Sequence, residues 1–294
     1  MPQKAKYPVV RKFTVDTGGT SDVYVDVGQC LSMINHRLYR QGRLYRVRVS
    51  IAQPTDVQIH GVTTLPDTWW ARRAYEKAKQ LWMDRVEHMK KEAGPESVAR
   101  WNDFKVAYDD THETNFTSAL KPMLVTDVTG SQTAMTAGNA EWAISELMDN
   151  DGNKNTFKML GTSTTGSGSE FAIIDTYSHL LNINSPDPDG TGTAAEAYLD
   201  FASTDVGADS DLDDQGDYPP YNEVDFPQLQ VLQGQLTSTC IVGDSNAQSG
   251  IQRLSTGYFD APLGLLRITP GANVELMIEV QSGDYKGVEA PAWE

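Results

Sequence analysis

Two cysteines in 294 residues, Cys30 and Cys240, are too few and too far apart for a disulfide framework or a zinc ligand set, and two buried free thiols are expected. The five histidines (His36, His60, His88, His112 and His179) are scattered, with no HExxH and no evident carboxylate pair. Acid–base or metal-assisted hydrolysis has little to build on, and no enzyme is expected. No run approaches the roughly 18 apolar residues of a membrane helix, and Met1 to Phe13 lacks the apolar segment of a secretion signal. The composition reads as a soluble protein made in the cytosol, without a membrane partner.

Positive charge is scarce in the second half of the chain. Residues 1 to 121 hold 19 Lys+Arg against 14 Asp+Glu, net +5, whereas residues 122 to 294 hold 5 against 26, net -21. Such asymmetry suits a protein that turns one surface toward a polyanion and another toward water; a salt-tolerant acidic surface is the alternative.

A hydrophobic content of 39% can supply a sizeable core. Residues 1 to 12, with Lys4, Lys6, Arg11 and Lys12, read as a short basic arm ahead of a single domain over 13 to 294. "SDVYVDV" (21 to 27) alternates as a strand. In "QCLSMINHRLYRQG" the spacing of Leu31, Ile34 and Leu38 predicts a short helix stopped by Gly42, which would set Arg37 and Arg40 side by side. The period then becomes two: Tyr45, Val47, Val49 and Ile51 face inward, Arg46 and Arg48 outward. "TDVQIHGVTTL" gives another strand.

"PDTWWARRAYEKAKQLWMDRVEHMKKEAG" is the one long helical signal, capped by Asp67 or Thr68 and ended by Gly94-Pro95. Its apolar stripe comprises Trp70, Ala74, Ala78, Leu81 or Trp82, Val86, Met89 and Ala93, to be covered by a sheet or a neighbouring subunit. Beyond residue 120, short apolar runs separated by Gly, Pro, Asp and Ser indicate a β-sandwich. "SEFAIIDTYSHLLN" is a candidate second helix, and residues 184 to 220 read as long surface loops.

Several motifs resemble chemistry without completing it. "GTSTTGSG" (161 to 168) has the glycine spacing of a phosphate loop, but Ser167 stands where the lysine belongs. "IVGDSN" would make Ser245 an esterase nucleophile, yet no histidine follows it to serve as base. "DNDGN", "DPDG" and "DSDLDD" offer paired oxygens, with Asp149, Asp151, Asp187 and Asp189 as candidate calcium ligands, though none continues into an EF-hand loop. Solvated turns are the alternative, and no other cofactor is expected.

Positive charge concentrates in "NHRLYRQGRLYRVRVSI" (35 to 51), with Arg37, Arg40, Arg43, Arg46 and Arg48 and no acid. One reading pairs these arginines with acids elsewhere. The other joins them to the basic arm: residues 1 to 50 carry 9 Lys+Arg and 3 Asp+Glu. On that reading Lys4, Lys6, Arg11, Lys12, Arg37, Arg40 and Arg43 neutralise phosphates regardless of sequence, while Tyr39 and Tyr45 stack on unpaired bases of single-stranded nucleic acid.

"LSMINHRLYRQGRLYRVRVSI" resembles a segment of the capsid (coat) proteins of circular, Rep-encoding single-stranded DNA (CRESS-DNA) viruses, with His36 in place of an arginine. "LPDTWWARRAYEKAKQLWMDRV" and "ARWNDFKV" are similar to that family's helical insertion, here at about 67 to 103. "EWAISEL", "FKMLG", "APLGLLRI" and "GDYKGVEA" follow in the same order, so the resemblance runs from about residue 30 to residue 291.

The resemblance implies an all-β fold, a single jelly-roll β-sandwich of two four-stranded antiparallel sheets, with the helical insertion and long surface loops. It also implies a structural protein that self-assembles as a homo-oligomer, an icosahedral shell of about 60 copies around circular single-stranded DNA, found in the virion. The subunit would be made in the host cytoplasm, with the nucleus as an alternative place of assembly, and would meet a host receptor of unknown kind. Relatives carry longer arginine-rich arms. If about 60 copies present the net +6 of residues 1 to 50 inward, roughly 360 charges only partly neutralise a genome bearing one negative charge per nucleotide. A calcium-dependent carbohydrate-binding β-sandwich, an adhesin or lectin, is the alternative from a different functional class.

Overall fold

The computed structural model describes residues 8–52, 59–98, 101–125, 131–136, 142–148, 154–161, 170–183 and 255–293. The chain divides into two compact units, one of Met1–Asp175 with Gln228–Glu294 and one of Thr176–Pro227. Within the second unit the described residues 176–183 are helical.

The elements follow in chain order as β1 (Lys12–Asp16), β2 (Val23–Asp26), α1 (Val27–Asn35), β3 (Leu44–Ile51), β4 (Ile59–Thr64), α2 (Trp69–Ala93), α3 (Asp110–Thr114), β5 (Met123–Val125), β6 (Gln132–Ala134), β7 (Glu146–Met148), β8 (Lys154–Lys158), β9 (Glu170–Ala172), α4 (Ile173–Ile183), β10 (Ser255–Pro262), β11 (Leu265–Pro270) and β12 (Glu275–Val280). The protein is mostly β, with several antiparallel sheets and few helices. A four-stranded sheet has the order β1-β12-β3-β10 and a three-stranded sheet the order β2-β11-β4; β5-β6 and β7-β8-β9 form two smaller sheets. Every pairing in the two main sheets is antiparallel. Among their seven strands each successive one lies in the other sheet, so the chain crosses between them at every step.

Period-two patterning explains the core. Tyr45, Val47, Val49 and Ile51 of β3 face inward as expected, beside Phe13 and Val15 of β1 and Leu276, Ile278 and Val280 of β12. The same cluster takes in Val25, Ile59, Val62, Leu266 and Ile268 from the three-stranded sheet, with Cys30 and Leu31 of α1. Each such side chain contributes about 1.5–3 kcal/mol when fully buried, so this shared cluster dominates the unit's stability. Cys30 is the buried free thiol expected; Cys240 lies outside the described residues.

Three expectations need correction. The helix after β2 starts earlier and stops sooner than its apolar spacing suggests: Asp26 caps it, and it ends at Asn35 because His36 turns left-handed with φ 51°. Leu38 and Arg40 therefore lie on a loop, and Gly42 terminates nothing. Secondly, α2 is capped by Thr68, whose side chain accepts from the Ala71 N–H, and ends at Gly94 as expected. Its stripe is buried at Ala74 and Ala78 and half-buried at Trp82, the second of the two alternatives, and at Val86, but Met89 remains 41% exposed. Thirdly, sheet pairing is not wholly antiparallel, since β8 and β9 run parallel.

The second main sheet has three strands among the described residues where four were expected. The runs "FPQLQVLQGQL" and "STCIVG" lie outside the described residues, as do "DSDLDD" and Ser245. No helix among the described residues is long and apolar enough to cross a membrane.

Candidate nucleic-acid interface

The arginine-rich loop 36–43 is fixed at both ends. At its start, the Tyr39 N–H donates to Ser32 Oγ (2.7 Å) and the Arg37 N–H to the Ser32 carbonyl (3.3 Å). At its end the buried Gln41 side chain uses both of its donor hydrogens and its acceptor oxygen inside the protein. Its Nε2 donates to Asp26 Oδ2 (3.0 Å) and to the Val106 carbonyl (3.1 Å), and its Oε1 accepts from the Val106 N–H (2.7 Å). Asp26 caps α1 by accepting from the Gln29 N–H (3.0 Å) and also accepts from Trp142 Nε1 (2.9 Å). Burial pushes its carboxyl above the ordinary carboxylate range, against the pull of these donors and of Lys121. One buried carboxylate thus joins the start of α1, the end of the loop and the 142–148 segment.

The C-terminal "GDYKGVEA" supplies the other half of the surface, a contribution that charge counting along residues 1 to 50 misses. The Arg43 guanidinium lies 3.7 Å from the Tyr285 ring centroid, and its Nη1 donates to the Ala290 carbonyl (3.0 Å). The Arg40 N–H donates to Tyr285 Oη (3.2 Å). Lys286, itself left-handed at φ 51°, donates from Nζ to the Leu38 carbonyl and stands 5.3 Å from the Tyr285 ring. Arg37, Arg40 and Lys286 are exposed and Arg43 half-buried.

The arm joins the same surface. Val10 exchanges two hydrogen bonds with the Asn35 side chain at the end of α1 (2.8 and 2.9 Å). Val9 occupies the space above Gly287, where an added Cβ would meet Val9 Cγ2 at 2.5 Å; with φ 91° the position favours glycine on both counts. Arg11 follows directly. Lys4 and Lys6 lie outside the described residues.

Several basic residues, Arg40 of the loop among them, are engaged by acids, as the pairing alternative has it. Lys12, Glu279, Arg48 and Tyr258 form one cross-strand row over the four-stranded sheet, with Lys12 Nζ 3.2 Å from Glu279, Arg48 in contact with the same carboxylate, and Arg48 5.1 Å from the Tyr258 ring. Desolvation works against the Glu279 carboxylate, but hydrogen bonds from Lys12, Tyr258 and Arg48 hold its pKa below the ordinary value. Arg46 pairs with Asp260 (3.6 Å). Arg40 stands 3.8 Å from Asp103, whose carboxyl burial pushes up while Lys105 and Arg40 draw it down. Lys12 thus shares one carboxylate with Arg48 and contributes less positive potential than its place in the sequence suggests.

The expected base-stacking role of Tyr39 and Tyr45 is corrected. Both are fully buried, their rings are part of the core, and their hydroxyls donate inward, to the Lys286 and Arg40 carbonyls (3.0 and 2.7 Å). Inward-facing β-strand periodicity already placed Tyr45 in the core; Tyr39 is drawn in by its hydroxyl's bond to the tail. The proposed calcium ligands Asp149, Asp151, Asp187 and Asp189 lie outside the described residues, and among the described residues no group of three or more His, Cys, Asp or Glu side chains is placed to hold a metal.

The candidate interface therefore comprises Arg11, Arg37, Arg43 and Lys286, together with Arg40, which it shares with Asp103, on one loop-and-tail surface held by hydrogen bonds between the loop, the arm and the tail. Such cations neutralise phosphodiesters without reading sequence. The chain matches no protein-family model, no curated protein and no solved structure.

Proposed function

We propose that the chain is the coat subunit of a small single-stranded DNA virus, a jelly roll that assembles into a closed shell with its arginine loop, arm and tail turned toward the genome. The observation that carries this reading is strand order. A jelly roll is two sheets wound from alternating strands, and the alternation of the described strands between the orders β1-β12-β3-β10 and β2-β11-β4 supports that reading. The resemblance of the loop and helical segments to CRESS-DNA virus capsid proteins supports the same reading.

Shell formation needs repeated apolar contacts between copies. Negative-stain microscopy of the purified full chain is expected to show uniform closed particles. A chain that sediments as a single copy from low to high salt rejects the proposal.

Binding of single-stranded DNA is expected to be independent of sequence and steeply salt-dependent. With about four phosphates neutralised, log K should fall with log salt at a slope near -3. Arg37→Glu combined with Arg43→Glu should weaken binding about tenfold or more at low salt and flatten the slope by about 1.4. An unchanged slope in a fluorescence-anisotropy titration would remove the arginine loop from the interface.

A further inference from the structure

Two adjoining hollows open beside the arginine loop, each with a volume near 380 Å³, within the range of about 300–1,000 Å³ usual for small-molecule sites. The first runs between α2 and the loop and is lined by Arg40, Arg43, Lys79, Trp82, Lys90 and Asp103, among others. The second continues past Trp82 and Asn102 to Trp101, Lys105 and Glu146. Trp82, Asn102 and Asp103 belong to both, so Trp82 divides one continuous groove.

The apolar stripe of α2 explains why the groove exists. Past Ala78 the helix leaves the body that covers its first three turns, yet the stripe continues through Trp82 and Val86. Trp82 is held in place by Phe104 beneath it, ring centroids 5.5 Å apart, and is only half-buried; Trp101 is 55% exposed. The groove thus has an aromatic floor with a rim of Arg40, Arg43, Lys79 and Lys90, against the two carboxylates of Glu87 and Asp103 in the first hollow. Four cations to two acids favour a phosphodiester over a neutral glycan, and an indole face favours a planar base between the phosphates.

We propose that this groove receives unpaired bases of the bound strand, stacked on Trp82, while the adjoining phosphates lie on Arg40, Arg43 and Lys90. The inference rests on the nucleic-acid reading above and deepens it: the loop and tail hold the backbone, and the groove makes the protein prefer single strands with bases over a bare polyanion. Asn102, lining both hollows, is placed to meet a base edge.

The test compares a short oligothymidine with an abasic oligomer of equal length and charge, each binding the full chain in fluorescence anisotropy at fixed low salt. The oligothymidine should bind about tenfold more tightly and quench tryptophan fluorescence. Trp82→Ala should remove that preference while leaving abasic binding unchanged, which also reports an intact fold; Trp82→Phe should keep part of it. Equal affinity of the parent protein for the two oligomers overturns the groove while leaving the arginine surface standing. A preference that survives in Trp82→Ala also overturns it, and failure of both oligomers to bind overturns both readings.

Discussion

Asp26→Ala is expected to destabilise the first unit by about 4 kcal/mol, because it strands buried and half-buried donors that share this one acceptor group. The carboxylate accepts from Gln29 N–H, Gln41 Nε2 and Trp142 Nε1, and the residue is 1% exposed. Loss of a helix cap alone costs about 1 kcal/mol; the remainder comes from the side-chain donors of Gln41 and Trp142, which lose their acceptor inside the protein. Against a typical total of roughly 5–15 kcal/mol this is about a quarter or more of the stability. Asp26→Asn, which retains an acceptor but turns an amide nitrogen toward donors, is expected to cost about 2 kcal/mol. Urea unfolding should show the midpoint falling at unchanged m-value, with Asp26→Ala below Asp26→Asn. Loss of nucleic-acid binding should accompany the first substitution, since Gln41 ends the arginine loop. Equal midpoints for Asp26→Ala and the parent protein would mean that the carboxylate does not join these segments.

Much of this arrangement was legible from local pattern, and the missing part has a physical reason. Alternation in "LYRVRVSI" fixed which residues of β3 enter the core and which two arginines leave it, because period two admits only two faces. The caps of α2 were legible for the same local reason, Thr68 and Gly94 being residues that do little else at helix ends. Where α1 ends was not. Apolar spacing runs on through Ile34 to Leu38, but Ser32 captures the Tyr39 N–H and the Gln41 side chain anchors to Asp26, which carries the chain off the helix, a tertiary event.

The candidate site divides in the same way. Charge density picked out Arg37, Arg40 and Arg43, yet charge does not reveal partners: Arg48 and Lys12 share Glu279 across a register known only once β12 lies between β1 and β3. Tyr285 and Lys286 join the loop from about 245 residues away. Their one sequence-level signal was the closing "GDYKGVEA", which belonged to the family resemblance and carried no assignment to the interface. Tyr39 looked available because it sits among arginines; its burial follows from the hydroxyl it sends to the Lys286 carbonyl.

Acid should weaken the fold through one residue above all, His112. Its ring stacks on Tyr24 at 4.6 Å and 10° and lies 5.1 Å from Phe116, fully buried. Nδ1 accepts from the Tyr108 N–H (2.9 Å), so the neutral imidazole is the form that fits, and Nε2 has no partner in this pocket. Burial first, and the charge of Lys121 second, depress its pKa from 6.5 to about 3. The Asp109 carboxylate nearby is occupied by the His112 N–H and the Tyr24 hydroxyl. Between pH 6.5 and 3 the unfolded chain therefore binds a proton that the folded chain refuses. The associated stability is whole above pH 6.5 and declines as pH falls, by up to about 5 kcal/mol at pH 3. Asp26 does not add to this loss, because its raised pKa lets the folded chain take up a proton at least as readily as the unfolded one. His112→Asn keeps an acceptor for the Tyr108 N–H and cannot titrate, so its stability, lower at pH 7, should decline less steeply toward pH 4. Urea midpoints of the two proteins measured at half-unit steps from pH 7 to 4 should converge; parallel curves would show that the fall in acid comes from the carboxylates alone.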